Sequence, residues 1–262
     1  MPRAKVIFYL AGAGLVAWLL FSARSEQSGI TGKVTLQGTS PPEIQIQFDP
    51  VSAKLHPKGL RTRHYVVAPD GGLANVFVYI KQGLEGKTFP APEHKAVMGF
   101  HGCRIEPYVV AVRTNQVVRF FNQDPFVQNV HCTPKANGGN REFNLALMPP
   151  NRGFRAWVND LLNRRLPWRG QTIKKTFPAP EIFVRLKCDV HPWEFGYVAI
   201  MENPFFAVTD NEGTFRFPPG LPPGRYVVEA RHLKAGAVTQ EIAISESERK
   251  TLNFTLAAPI PP

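Results

Sequence analysis

The segment Cys188-Asp189-Val190-His191-Pro192-Trp193-Glu194 places a thiol, an imidazole and a carboxyl on one short stretch. Cys-x-x-His on a tight loop brings thiolate and imidazole to one point. A soft thiolate with imidazole suits copper, and three strong ligands with a weak axial one make a blue-copper site. A loop ending in Met would supply that weak ligand, but Glu194 stands there. A set of Cys188, His191, Glu194 and a second imidazole from His131 would be harder and less covalent than blue copper, closer to a red-copper site. The competing reading makes Cys188 a structural thiol, His191 an ordinary loop histidine and Glu194 a solvent-facing carboxylate. Trp193, Phe195 and Tyr197 surround the loop as packing residues.

The elements that must position this loop read as strands. Glu181–Lys187 precedes it and Tyr197–Met201 follows it. Gly29–Gln47 reads as two strands around a turn at Gly38 and Pro41-Pro42. Leu73–Ile80 starts after Asp70-Gly71-Gly72, and Pro107–Val112 and Gln116–Asn122 flank the turn Thr114-Asn115. From Asn203 onward, further strands are expected at Val208–Asp210, Thr214–Phe217, Tyr226–Ala230, Thr239–Ile244 and Thr251–Leu256. With 25 Pro and 21 Gly among 262 residues, and short Val/Ile/Phe/Tyr runs between them, the chain is expected to be all-β. The mature chain offers one helical pattern, Trp157–Leu166, inside a basic stretch over 150–175 that reads as an inserted loop.

Arg3 and Lys5 precede an apolar run over 6–21, and Ala23 and Ser25 suit cleavage. Residues 1–25 therefore read as an apolar helix, either a signal peptide or a membrane anchor. The expected location is periplasmic, secreted, or membrane-anchored facing the periplasm. The net charge is +11. Export argues against nucleic acid as the partner, which leaves an acidic redox protein or a membrane-bound electron-transfer complex. Three cysteines, Cys103, Cys132 and Cys188, are too few for a disulfide scaffold, and their odd count leaves a thiol that a metal would explain.

The chain resembles a bacterial family of exported cupredoxin-like proteins, plastocyanin-like or methylamine-utilisation-like, that carry a carboxypeptidase-regulatory-like C-terminal domain. The resemblance runs from Gly29 to the end. It rests on Gly29–Val34, Asp49-Pro50-Val51, Asp70–Tyr79, Gly102-Cys103-Arg104, Asn122–His131, Cys188–Trp193 and Pro204–Asp210. It implies a cupredoxin-like Greek-key sandwich over 29–202 and a small transthyretin-like sandwich over 203–258. Where the family has Cys, Pro-His, His-Asn and Met, this chain has Ser52, Pro107-Tyr108, Gln128-Asn129 and Glu194. Gln128 therefore stands where the resemblance implies a histidine ligand. A Cys103–Cys188 disulfide competes with metal binding, since both cysteines fall near the expected ligand end; Cys132 would then be the odd thiol.

The expected function is copper binding and electron transfer with an atypical ligand set. The alternative is a metal-free structural or interaction subunit of a membrane-associated complex. No paired carboxylates, nucleophile–base pair or His-Glu-x-x-His zinc motif is recognised, so the chain is not expected to be an enzyme.

Overall fold

The computed structural model describes residues 28–150 and 171–259. The expected leader over 1–25 and the helix at Trp157–Leu166 lie outside the described residues. The elements begin with β1 (Gly29–Gln37), a short α1 (Pro50–Leu55) and β2 (Phe77–Gln82). Next come β3 (Ala96–Phe100), β4 (Ile105–Glu106), β5 (Val109–Arg113), β6 (Val118–Asn122), β7 (Gln128–Thr133) and β8 (Phe143–Leu147). They continue with β9 (Thr172–Lys175), β10 (Glu181–Lys187), β11 (Phe195–Met201) and β12 (Phe206–Val208). The last are β13 (Thr214–Arg216), β14 (Gly224–His232), β15 (Gly236–Ile244), β16 (Arg249–Thr251) and β17 (Phe254–Ala257). The described part is all-β apart from α1. That turn forms because the Asp49 side chain accepts from the Val51 and Ser52 amides and Pro50 opens the first turn.

Two sandwiches result, one inserted into the other. In the outer one, β1 is central. It pairs antiparallel with β13 and parallel with β16 and β17. Gly32 is required here, since a Cβ would lie 1.8 Å from the Leu252 carbonyl oxygen. The facing sheet runs β12-β2-β14-β15. Ile30, Val34, Leu36, Val78, Ile80, Val228, Phe254 and Leu256 fill the space between the two sheets. The inner sandwich is formed by β5-β11-β10-β7-β8 against β4-β3-β6-β9. Its core holds Phe100, Phe120, Val130, Leu186 and Val198.

This arrangement differs from the expected boundary between 202 and 203. β1 and β2 hydrogen-bond to strands of the C-terminal region, and the inner sandwich leaves the outer one after β2 and returns at β12. The second strand expected up to Gln47 is reduced to an isolated bridge from Gln45 to Arg61. β2 is buried on both faces, which explains its unbroken apolar start, Phe77-Val78-Tyr79-Ile80. Val78 and Ile80 enter the outer core. Phe77 and Tyr79 pack with Ala199, Phe183 and Met201 of the inner sandwich.

Candidate metal centre

The loop after β10 closes on itself. The Cys188 amide donates to the Glu194 carbonyl at 3.0 Å, and the Glu194 amide donates to the His191 carbonyl at 2.9 Å. These two bonds turn the Cys188, His191 and Glu194 side chains to one side. One ligand atom from each lies within 4.8 Å of the others, and all three residues are buried.

Gln128, the first residue of β7, sits among them. Its Oε1 lies 3.1 Å from Cys188 Sγ and 2.8 Å from His191 Nδ1, and Sγ and Nδ1 are 3.6 Å apart. Its Nε2 donates to Glu194 Oε1 and to Asp124 Oδ2, both at 3.0 Å. Glu194 Oε1 is 3.7 Å from His191 Nδ1. Donor atoms about 3–4 Å apart can share one ion at bonds of roughly 2.0–2.3 Å. The set therefore fits a metal of the thiolate–imidazole class, with the Gln128 carbonyl and the Glu194 carboxyl as oxygen donors. A further observation points the same way: Glu194 Oε2 is buried and has no hydrogen-bond partner among the described residues.

Burial governs the protonation of the group. It pushes the Glu194 carboxyl up to about 8; the Gln128 hydrogen bond opposes this weakly and nearby Asp124 adds to it. Burial also raises the Cys188 thiol and lowers the His191 imidazole. Without metal, the cluster is accordingly a thiol, a neutral ring and a carboxylic acid near neutral pH. Cys103 and Cys132 are both pushed up to about 12, chiefly by burial, and are inert thiols.

Two expectations need correction. His131 does not join the cluster. On a strand, residues three apart face opposite ways, so with Gln128 turned inward, His131 faces the other side of β7. There Nδ1 lies 2.7 Å from Asp189 Oδ2 and Nε2 lies 2.8 Å from Glu142 Oε1. The Cys103–Cys188 disulfide is not formed, since all three cysteines are free and buried. Cys188 Sγ is engaged by Gln128, Asn129 and His191, while Cys103 gives its amide to Asp124.

Two supporting residues escaped the sequence reading. Asn129 Oδ1 accepts from the Asp189 amide at 2.7 Å and from Cys188 Sγ at 3.1 Å, and the Asn129 amide donates to Sγ at 3.5 Å. Asp124 accepts from Gly102, Cys103 and Gln128, and its own amide bonds to Asn122 Oδ1. The signal for Asp124 was present in Asn122-Gln123-Asp124-Pro125, a turn-forming pattern.

Among solved structures, the chain is similar to a mutant of amicyanin in its Cu(I) form, at 19% identity, covering 40% of this chain and 81% of that one, with a TM-score of 0.28. It is similar to a purple cupredoxin from Nitrosopumilus maritimus at 16% identity, covering 40% of this chain and 99% of that one, TM-score 0.28. It is also similar to a copper-containing nitrite reductase from Thermus scotoductus SA-01 at 16% identity, covering 47% of this chain and 26% of that one, TM-score 0.30. Part of this chain is structurally similar to cupredoxins. At these scores the similarity speaks to no ligand and no activity. No family model and no curated protein matches the sequence.

Proposed function

We propose that the chain is an exported copper-binding protein that carries electrons for an acidic redox protein or a membrane-bound electron-transfer complex. The observation that carries the reading is the buried convergence of Cys188, His191 and Glu194 around the Gln128 carbonyl. Bound copper supplies one-electron exchange between its two common oxidation states. Cys188 would act as thiolate, having released its proton on binding. His191 would ligate through Nδ1 with its proton on Nε2. Asn129, with its amide on Sγ and its side chain on the Asp189 amide, holds the thiolate loop in place. We read a carrier rather than an enzyme.

One observation favours a second reading, a metal-free interaction subunit. Gln128 alone provides hydrogen bonds to Cys188, His191 and Glu194, so the cluster is largely satisfied without an ion. Copper titration of the fully reduced protein, read by elemental analysis and by thiolate-to-copper absorption, separates the two. One copper per chain, lost in Cys188→Ser, supports the carrier. No uptake by the folded wild type sinks it and leaves the subunit.

A further inference from the structure

A second meeting point of charged and apolar groups lies between the two sandwiches and shares no residue with the Cys188 cluster. A cleft of about 500 Å³ opens there. That is within the range of small-ligand sites. Tyr79, Ile182, Phe183 and Met201 form its apolar lining, and Arg231 and Lys135 stand over it from opposite sandwiches.

Three features distinguish it from an ordinary seam. Phe183 has φ +63°, a left-handed conformation that a bulky residue rarely takes, and the β10–β11 register shifts between Glu181 and Val184. Such bulges re-aim side chains, and here the Phe183 ring stands 6.3 Å from Phe77 and 6.1 Å from Tyr197, at the cleft wall. Arg231 is held in advance: its Nε donates to Glu229 at 2.7 Å, and buried Glu229 also accepts from Tyr79 at 2.7 Å and Lys81 at 2.6 Å. A cation already ordered costs less to engage. Glu181, the carboxylate inside the cleft, is committed to the Lys135 amide at 2.8 Å and to Asn140 at 3.0 Å. The Lys135 ammonium therefore has no carboxylate partner among the described residues.

We propose that this cleft binds a small aromatic carboxylate. Its ring would lie on Phe183, Tyr79 and Met201, where aromatic and thioether surfaces favour a flat apolar body. Its carboxylate would bridge Arg231 and Lys135, joining the two sandwiches with charge-assisted hydrogen bonds.

Calorimetric titration of the full chain with 2-naphthoate, and separately with its uncharged analogue 2-naphthalenemethanol, tests the proposal. Naphthoate should bind at one site, and the alcohol about tenfold more weakly or worse. Lys135→Gln should bring naphthoate towards the alcohol's affinity, and Ile182→Trp, which fills the cleft, should abolish binding. The wild-type comparison stands even if a variant fails to fold. Equal affinity for acid and alcohol, absence of binding by both, or naphthoate binding unchanged in folded Ile182→Trp would overturn the proposal.

Discussion

Glu194 in the inner sandwich and Glu229 in the outer one are each 1% exposed, yet burial has opposite outcomes for them. Burial pushes both carboxyls up. At Glu229 the hydrogen bonds from Lys81, Tyr79 and Arg231 outweigh it and hold the group below the ordinary range. At Glu194 one neutral amide, that of Gln128, is too little, and the carboxyl rises to about 8. The number and charge of the donors, rather than depth, decide which form is stable. A buried acid with a complete set of donors is a structural joint. A buried acid with one oxygen unpaired among the described residues, beside a thiol and an imidazole, is a group that could hold a metal ion.

The largest effect expected from this contrast is in the pH dependence of metal-free stability. The folded pKa of Glu194 lies above its unfolded value near 4.5. Its contribution is therefore fully present below pH 4.5 and is lost as pH rises through about 8. The span is roughly 3–5 kcal/mol. Denaturant unfolding of the metal-free wild type and of Glu194→Gln, followed from pH 5 to pH 9, isolates it, because other titrating groups are common to both. Wild type should lose stability relative to the variant across that range. Parallel profiles would mean that Glu194 is not a buried neutral acid.

Glu229→Gln should act in the reverse sense and less strongly. The folded pKa of Glu229 is depressed, so its contribution is present above the unfolded value and disappears as pH falls through the folded one. At pH 7 the variant leaves Lys81 and Arg231 without their carboxylate. These side chains are 43% and 41% exposed, so water takes over part of their solvation. A cost of about 1–3 kcal/mol follows, shrinking towards acid pH, with copper uptake unchanged. A loss that grows towards acid pH would erase the distinction between the two glutamates.

The inner cluster was easier to read in the sequence than the architecture holding it. Cys188, His191 and Glu194 lie on one loop, where local spacing sets which groups meet; β10 also falls on the expected Glu181–Lys187. Gln128 came from a resemblance, because no local pattern joins it to a loop 60 residues away. Asn129 was missed because an amide that braces a loop has no signature apart from the loop it braces. His131 was misplaced because no strand was expected over Gln128–Thr133, and without β7 the alternation that turns it outward is hidden. The split of the outer sandwich was invisible for a related reason. Alternation identifies β1 as a strand, but the choice of β13, β16 and β17 as partners depends on packing more than 180 residues away.

The smallest expected effect concerns His131, which sharpens the comparison by showing a titrating group on the opposite face of the same strand. Its side chain is 16% exposed and each ring nitrogen meets a carboxylate, an arrangement that suits the doubly protonated ring. The hydrogen bond with Glu142 raises its pKa most, and Asp189 adds to it. In NMR titrations, Glu142→Gln and Asp189→Asn should each lower the His131 midpoint. The folded value is raised, so the stability this ring contributes is present at acid pH and lost as pH climbs through its midpoint. Adding copper should broaden His191 resonances and leave the His131 midpoint where it was. If copper displaced the His131 proton instead, the imidazole would have turned through the strand to serve as a ligand, and the two faces of β7 would no longer be separate.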